Sequence, residues 1–170
     1  ALPILKIHRT PEGVSDWKLY QRGPDDDAPV PVPFSYRANV PARLEVRIVE
    51  AGSGLALPGH GYVDHRFDLT AAPTGRVDEV TISEVPTGGN YDLEARLVDP
   101  ASGEVLGEDV VGYIAVGDVV LAAGQSNMVG AGELEPAEPP ADNVHLFGND
   151  YVWKRAREPM DSGIDQVDRV

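Results

Sequence analysis

The chain contains no cysteine, so a disulfide framework, a thiolate nucleophile and a cysteine-ligated zinc site are all excluded. It also lacks an apolar run of about 18 residues, and no membrane-spanning helix is predicted. Positive charge is scarce: 14 Lys and Arg stand against 28 Asp and Glu, and the net charge is −14. Such a chain repels phosphate backbones and anionic lipids, so neither nucleic acid nor a membrane is an expected partner.

The composition nevertheless predicts a packed core, because 42% of the residues are hydrophobic and 25% are charged. The chain begins at Ala1-Leu2-Pro3 without a basic segment ahead of an apolar one. These three residues fit a mature terminus left by a signal peptidase. The compartment stays open, with an extracellular or periplasmic location slightly favoured.

Residues 1–116 show the period-two alternation of half-buried strands. In the clearest example, Val30, Val32, Phe34, Tyr36, Ala38 and Val40 alternate with Pro29, Pro31, Pro33, Ser35, Arg37 and Asn39. The prolines predict an edge strand, because proline cannot donate to a ladder. Similar runs, 43–48, 63–69 and 91–97, follow between Gly- and Pro-rich turns. This pattern predicts an all-β sandwich of about seven strands, immunoglobulin-like or fibronectin-like.

The pattern changes at Gly117. Val119–Ala123 is a continuous apolar run, which predicts a strand buried on both faces of a parallel sheet. A second strand is predicted at Val144–Phe147, whereas residues 153–158 are ambiguous. A doubly wound sheet needs more strands and helices than these. Residues 117–170 are therefore predicted to be the incomplete first part of a second domain.

The residue of greatest chemical interest is Ser126, which follows the predicted strand 119–123 and a glycine turn. A turn of this kind lifts a hydroxyl above the carboxyl edge of a sheet, and backbone N–H groups there can hold an oxyanion. Serine is also a good helix N-cap, so this arrangement alone leaves both roles open. The Gly-x-Ser-x-Gly elbow of α/β-hydrolases is disfavoured, because Met128 occupies the second glycine position.

The string from Gly117 to Met128, ending in Gly-Gln-Ser-Asn-Met, resembles the first block of the SGNH hydrolases in their sialate O-acetylesterase and acetylxylan esterase branch. A later segment resembles the Trp-x-x-Ala-x-Glu-Pro pattern of that branch through Asn149, Trp153, Ala156, Glu158, Pro159 and Met160. The resemblance extends over residues 113–161. It implies a three-layer α/β/α, flavodoxin-like core that needs no metal or other cofactor.

The resemblance also implies the chemistry. Ser126 would be the nucleophile and its own backbone N–H an oxyanion donor, while Gln125 and Asn127 would shape the pocket. The expected function is a serine esterase that removes O-acetyl groups from carbohydrate, either sialic acid or a plant-type glycan. The family's catalytic Asp-x-x-His lies near the end of the hydrolase domain and is not placed on residues 1–170. We expect it on a second polypeptide, the C-terminal remainder of the same precursor after a cut following Val170.

The alternative is a non-catalytic carbohydrate-binding or domain-docking sandwich. Two histidine features each have a structural and a functional interpretation. His145 is expected to be a strand residue that faces a polar partner or solvent, and less so a catalytic base. His60 and His65, near Asp64 and Asp68, suggest core packing rather than a metal site, with His65 facing inward.

Two other groups are similarly weighed. Asp25-Asp26-Asp27 is expected to be a solvated loop, since the Gly and Glu of an EF-hand do not follow it. Four aromatic residues could form a sugar-stacking platform but are mostly expected in the core: Trp17, Tyr20, Phe34 and Tyr36.

Overall fold

The computed structural model describes residues 3–123 and 138–157. In these ranges the secondary structure is all β, and no helix that could cross a membrane occurs in them. The strands are β1 Ile4–Ile7, β2 Leu19–Gln21, β3 Asp27–Ala38, β4 Ala42–Glu50, β5 Arg66–Leu69, β6 Ala72–Pro86, β7 Gly88–Val98, β8 Val105–Gly117, β9 His145–Phe147 and β10 Trp153–Arg155.

The first eight strands form two sheets. One has the order β1-β3-β6 and the other the order β2-β8-β7-β4-β5, in which β2 and β8 run parallel. The inward side chains of both sheets belong to one hydrophobic cluster. The all-β class predicted before Gly117 is therefore confirmed, with eight strands where about seven were expected, and two sheets that share one core are consistent with the predicted sandwich.

Alternation explains which residues fill the core. Along β3 every second side chain is buried, from Ala28 to Ala38, and β7 repeats the pattern from Tyr91 to Leu97. Phe34 and Leu97 are fully buried. The charged residues that alternate with the buried positions of β3 and β7 face outward. The pleat of a strand places neighbouring side chains on opposite faces, so this pattern alone orients both strands.

The prolines predict that β3 is an edge strand, but β3 lies between β1 and β6. The prolines are tolerated in this inner strand because β1 is short and pairs only with residues 34–37. The carbonyl of Pro33 accepts a 2.8 Å hydrogen bond from the N–H of His8, so the odd-numbered peptide groups of β3 point towards the β1 side. Pro29 and Pro31 therefore lack an N–H where no described strand pairs with them.

The strand predicted over residues 63–69 is shorter than expected. β5 begins at Arg66, and Val63 is 69% exposed. The cause is a turn in which Gly61 N–H donates to the Asp64 carboxylate at 2.8 Å and Asp64 N–H donates to the Gly61 carbonyl at 3.0 Å. This local pairing competes with extension of the strand.

The apolar run after Gly117 also departs from its prediction. Val119–Ala123 is neither in a strand nor buried, and Val120 and Leu121 are 82% and 89% exposed. The described residues supply no neighbouring parallel strands for it, so its backbone has no ladder and its side chains have no cover. The second predicted strand does form, as β9, but it pairs antiparallel with β10.

Candidate functional site

The residues with a predicted catalytic role, Ser126, Gln125 and Asn127, lie outside the described residues. The same is true of Glu158, Pro159 and Met160 in the second family-like segment. The structure places what comes before and after the serine: residues 117–123, and the segment 138–157.

The sandwich holds the start of the segment that leads to Ser126. The N–H of Arg22 donates to the Gly117 carbonyl at 2.8 Å, and its guanidinium binds the Asp118 carboxylate at 2.9 Å. The side-chain oxygen of Gln21 accepts a 2.8 Å hydrogen bond from the N–H of Val119. Hence the end of β2 determines the direction in which the chain leaves β8.

The β9–β10 hairpin carries the rest of the family-like pattern. Trp153 lies in β10 opposite Phe147, and Asn149 lies in the connecting turn. Ala156 is buried, and its N–H donates to the Val144 carbonyl at 3.0 Å. Two positions of the Trp-x-x-Ala spacing thus have structural roles within one hairpin.

His145 fastens this hairpin to the sandwich. Its Nε2 lies 2.6 Å from the Oδ1 atom of Asn90, and its ring meets Trp17 edge-on with 5.4 Å between ring centroids. Burial lowers the pKa of His145, while the Trp17 carbonyl acts in the opposite direction. The prediction of a strand residue with a polar partner is confirmed.

One match to the Asp-x-x-His spacing does occur in the chain, at Asp142-Asn143-Val144-His145, and sequence reasoning passed over it. In the structure the carboxylate of Asp142 pairs with Arg155, and the ring of His145 bonds to Asn90. The two side chains serve the hairpin and its docking. Their arrangement is not that of a carboxylate orienting a histidine base.

The histidine pair lies elsewhere, beside a cavity of about 440 Å³ at the edges of β5 and β6. His60 is the buried member, 5% exposed, whereas His65 is half-buried. The sequence pattern instead predicts His65 as the inward-facing histidine. The pair is hydrogen-bonded, and burial lowers the pKa of His65. Over the described ranges, no group of three His, Asp or Glu residues is arranged to hold a metal ion.

The aromatic residues separate into core and surface. Tyr20, Phe34 and Tyr36 are buried, as predicted. Trp17 instead stacks on Tyr113, with 4.4 Å between centroids and 6° between the ring planes. Tyr113 was not singled out in the sequence, because its partner lies almost 100 residues away along the chain.

The acidic run has no ligand-binding geometry. Asp25 and Asp26 are exposed in a turn, where Asp26 pairs with Arg22 at 2.7 Å, and Asp27 begins β3. The predicted solvated loop is confirmed for the first two residues.

Comparison with family models gives a match. The model of the family described as carbohydrate esterase, sialic acid-specific acetylesterase, matches residues 116–170, about a third of the chain. The comparison with curated proteins gives no match. The matched range begins at the end of β8, includes Ser126 and contains the β9–β10 hairpin. The resemblance seen around Gly-Gln-Ser-Asn-Met is thereby confirmed: residues 116–170 are similar to the carbohydrate esterase family of sialic acid-specific acetylesterases.

Proposed function

We propose that this chain supplies the serine nucleophile of a carbohydrate O-acetylesterase, and that Ser126 is that nucleophile. The observation that carries the proposal is the position of Gly-Gln-Ser-Asn-Met inside the range matched by a carbohydrate esterase family. The substrate class is an acetylated carbohydrate, with sialic acid or a plant-type glycan as the sugar.

The reaction is acyl transfer in two steps. The Oγ atom of Ser126 attacks the acetyl carbonyl carbon while a histidine base takes its proton. The oxyanion accepts a hydrogen bond from the Ser126 N–H, and Gln125 and Asn127 shape the pocket around it. Collapse of the tetrahedral intermediate releases the sugar hydroxyl, which receives the proton. Water then attacks the acetyl-enzyme, and acetate leaves.

The proposal includes an organisation. Residues 1–116 form the sandwich domain, and residues 117–170 are the first part of an α/β/α hydrolase domain of the SGNH type. The histidine base and its aspartate belong to the C-terminal remainder of the same precursor, present as a second polypeptide. A serine without an adjacent base is a weak nucleophile, so the activity requires both parts.

The test compares Ser126→Ala with Ser102→Ala in the assembled protein, which contains this chain and the second polypeptide. Ser102 is exposed in the β7–β8 turn and controls for the loss of a hydroxyl. Acetate release from O-acetylated sialic acid, acetylated xylan and p-nitrophenyl acetate is measured. We expect Ser126→Ala to lower kcat by roughly a thousandfold or more and Ser102→Ala to leave it unchanged. Undiminished hydrolysis by the Ser126 variant would remove the nucleophile assignment.

A further inference from the structure

One end of the sandwich presents a preformed surface to the family-matched segment. This docking surface consists of Trp17, Asn90 and Tyr113, which come from the β1–β2 connection, the start of β7 and β8. The residues that meet it are Asp142 and His145 at the start of the β9–β10 hairpin. Sandwich and hairpin therefore make contact through residues more than 50 positions apart in sequence.

Asn90 makes two different hydrogen bonds at this surface. Its Oδ1 atom accepts from His145 Nε2–H at 2.6 Å, and its Nδ2 group donates to the backbone carbonyl of Asp142 at 3.2 Å. A side-chain amide offers both a donor and an acceptor, which a carboxylate or a hydrocarbon cannot. Two bonds to residues three apart define both the position and the rotation of the hairpin.

Asn90 itself is held in place by the first residues of β7. Gly88 and Gly89 have φ values of 141° and 142°, and a Cβ atom on Gly89 would lie 2.7 Å from the Cβ of Ala115. The start of β7 therefore packs against β8 more closely than a side chain would permit. In addition, the Asn90 carbonyl accepts a 2.9 Å hydrogen bond from the N–H of Ala51.

The aromatic part of the surface is equally constrained. Trp17 and Tyr113 both have left-handed backbone conformations, with φ values of 63° and 60°, which aromatic residues rarely adopt. The N–H of Trp17 donates to the Gly112 carbonyl at 3.0 Å, and the N–H of Tyr113 donates to the Asp92 carboxylate at 3.0 Å. These bonds hold Trp17 stacked on Tyr113, and Trp17 in turn makes the T-shaped contact with the ring of His145.

We infer that this end of the sandwich is a docking platform for the esterase segment, with Asn90 as the positioning residue that orients residues 138–157. The junction at Asp118 and Val119 provides the second attachment, so both chain segments that flank Ser126 are tied to the sandwich. The sandwich is accordingly part of the hydrolase structure and not a separable carbohydrate-binding module. The consequence for catalysis rests on the proposed function, whereas the docking does not.

Hydrogen exchange of the protein as purified tests the docking, because this measurement needs no enzymatic activity. Asn90→Ala is expected to raise amide exchange in residues 138–157 about tenfold, since a net hydrogen bond contributes about that factor. Asn39→Ala, in the exposed turn between β3 and β4, is the matched control and is expected to change nothing there. Unchanged exchange of residues 138–157 in Asn90→Ala would overturn the inference.

A second pair of variants, on the hairpin, separates hydrogen bonding from packing and serves even where Asn90→Ala fails to fold. His145→Gln keeps an N–H donor for Asn90, whereas His145→Phe keeps a ring edge for Trp17 but has no donor. We expect near-native exchange in the first and about tenfold faster exchange in the second. The opposite order contradicts the role of Asn90.

Steady-state kinetics test the positioning role of Asn90. With the acetyl ester substrate, Asn90→Ala is expected to lower kcat about tenfold with KM little changed, because Asn90 orients the segment without touching substrate. An unchanged kcat overturns the positioning role. Ser126→Ala is expected to leave the exchange of residues 138–157 at its native level. Activity retained in Ser126→Ala therefore counts against the proposed function alone, and fast exchange in Asn90→Ala still supports the docking.

Discussion

The Nδ1 atom of His60 lies 3.0 Å from the Nε2 atom of His65, and the Nε2 atom of His60 lies 3.1 Å from the carbonyl oxygen of Glu84. Because a carbonyl only accepts, His60 donates from Nε2 and accepts at Nδ1, and His65 donates to it. The pair joins the connection before β5 to strand β6. Since β5 and β6 belong to different sheets, this chain of hydrogen bonds links the two halves of the sandwich.

Lowering the pH should weaken the sandwich through His65. Burial, and then the neighbouring His60, hold the pKa of His65 below its ordinary value, while Asp64 opposes them. The unfolded chain therefore binds the proton more readily, so this stabilisation is present above pH of about 6.5 and is lost as the pH falls below it. Arg66 and Glu84 also line the cavity around the pair.

The measurement is the thermal midpoint of unfolding at pH 8, 7, 6 and 5. The fall in midpoint between pH 7 and pH 5 is expected to be smaller in His65→Asn than in the wild type. Parallel curves for the two proteins would show that His65 does not contribute to the pH dependence.

Gly89→Ala should destabilise the protein more than Gly103→Ala. Both glycines have positive φ values, but a Cβ at Gly103 meets nothing within 4 Å, whereas one at Gly89 meets Ala115 at 2.7 Å. The control is expected to cost about 1 kcal/mol for its backbone conformation. The overlap at Gly89 should add about 1–3 kcal/mol, as overpacking does elsewhere. Urea unfolding measures both losses of stability, and equal losses would contradict the close approach of the start of β7 to β8.

Neutralising the buried carboxylate of Glu45 should cost more stability than neutralising an exposed one. It is only 3% exposed and binds Arg66 at 3.1 Å and Arg96 at 2.7 Å. Glu45→Gln removes charge from both pairs and is expected to cost about 2 kcal/mol, less than a fully buried pair because both arginines remain partly hydrated. Glu104→Gln, in an exposed turn, should change the unfolding free energy by less than about 0.5 kcal/mol. Similar values for the two variants would show that the Glu45 cluster contributes no more than a surface ion pair.

Substitution of two leucines should distinguish the buried core from the exposed apolar run at residues 119–123. Leu97 is fully buried, whereas Leu121 is 89% exposed. In the chain of residues 1–170, Leu97→Ala should cost about 3 kcal/mol and Leu121→Ala less than about 0.5 kcal/mol. Chemical denaturation measures both losses. A large loss at Leu121 would mean that residues 119–123 are buried as the sequence pattern predicts.

Much of the sandwich could be predicted because alternation is a local property. The inward positions of β3, β4 and β7 follow from the residues themselves. The position of β3 within its sheet could not be predicted, because it depends on how far β1 extends beside the prolines. Nor could the pairing of Trp17 with Tyr113, for which no local pattern exists.

For the candidate site, Ser126 was found from a short motif that needs no tertiary structure, and its role stays a prediction. The partner of His145 could not be found in this way. Asp142 and His145 have the spacing of a catalytic pair, yet each is directed to another residue, Arg155 and Asn90. Spacing brings two side chains near each other, but packing decides which groups they bond.

The sequence by itself determined the all-β character before Gly117, the apolar faces of its strands and the family similarity of residues 116–170. These three properties follow from periodicity and short motifs, which depend only on neighbours along the chain. Only the tertiary structure decided the strand order, the buried member of the histidine pair and the attachment of the hairpin through Asn90. Those features arise from contacts between distant residues, where the geometry of close packing and the pairing of buried polar groups select among many compatible partners.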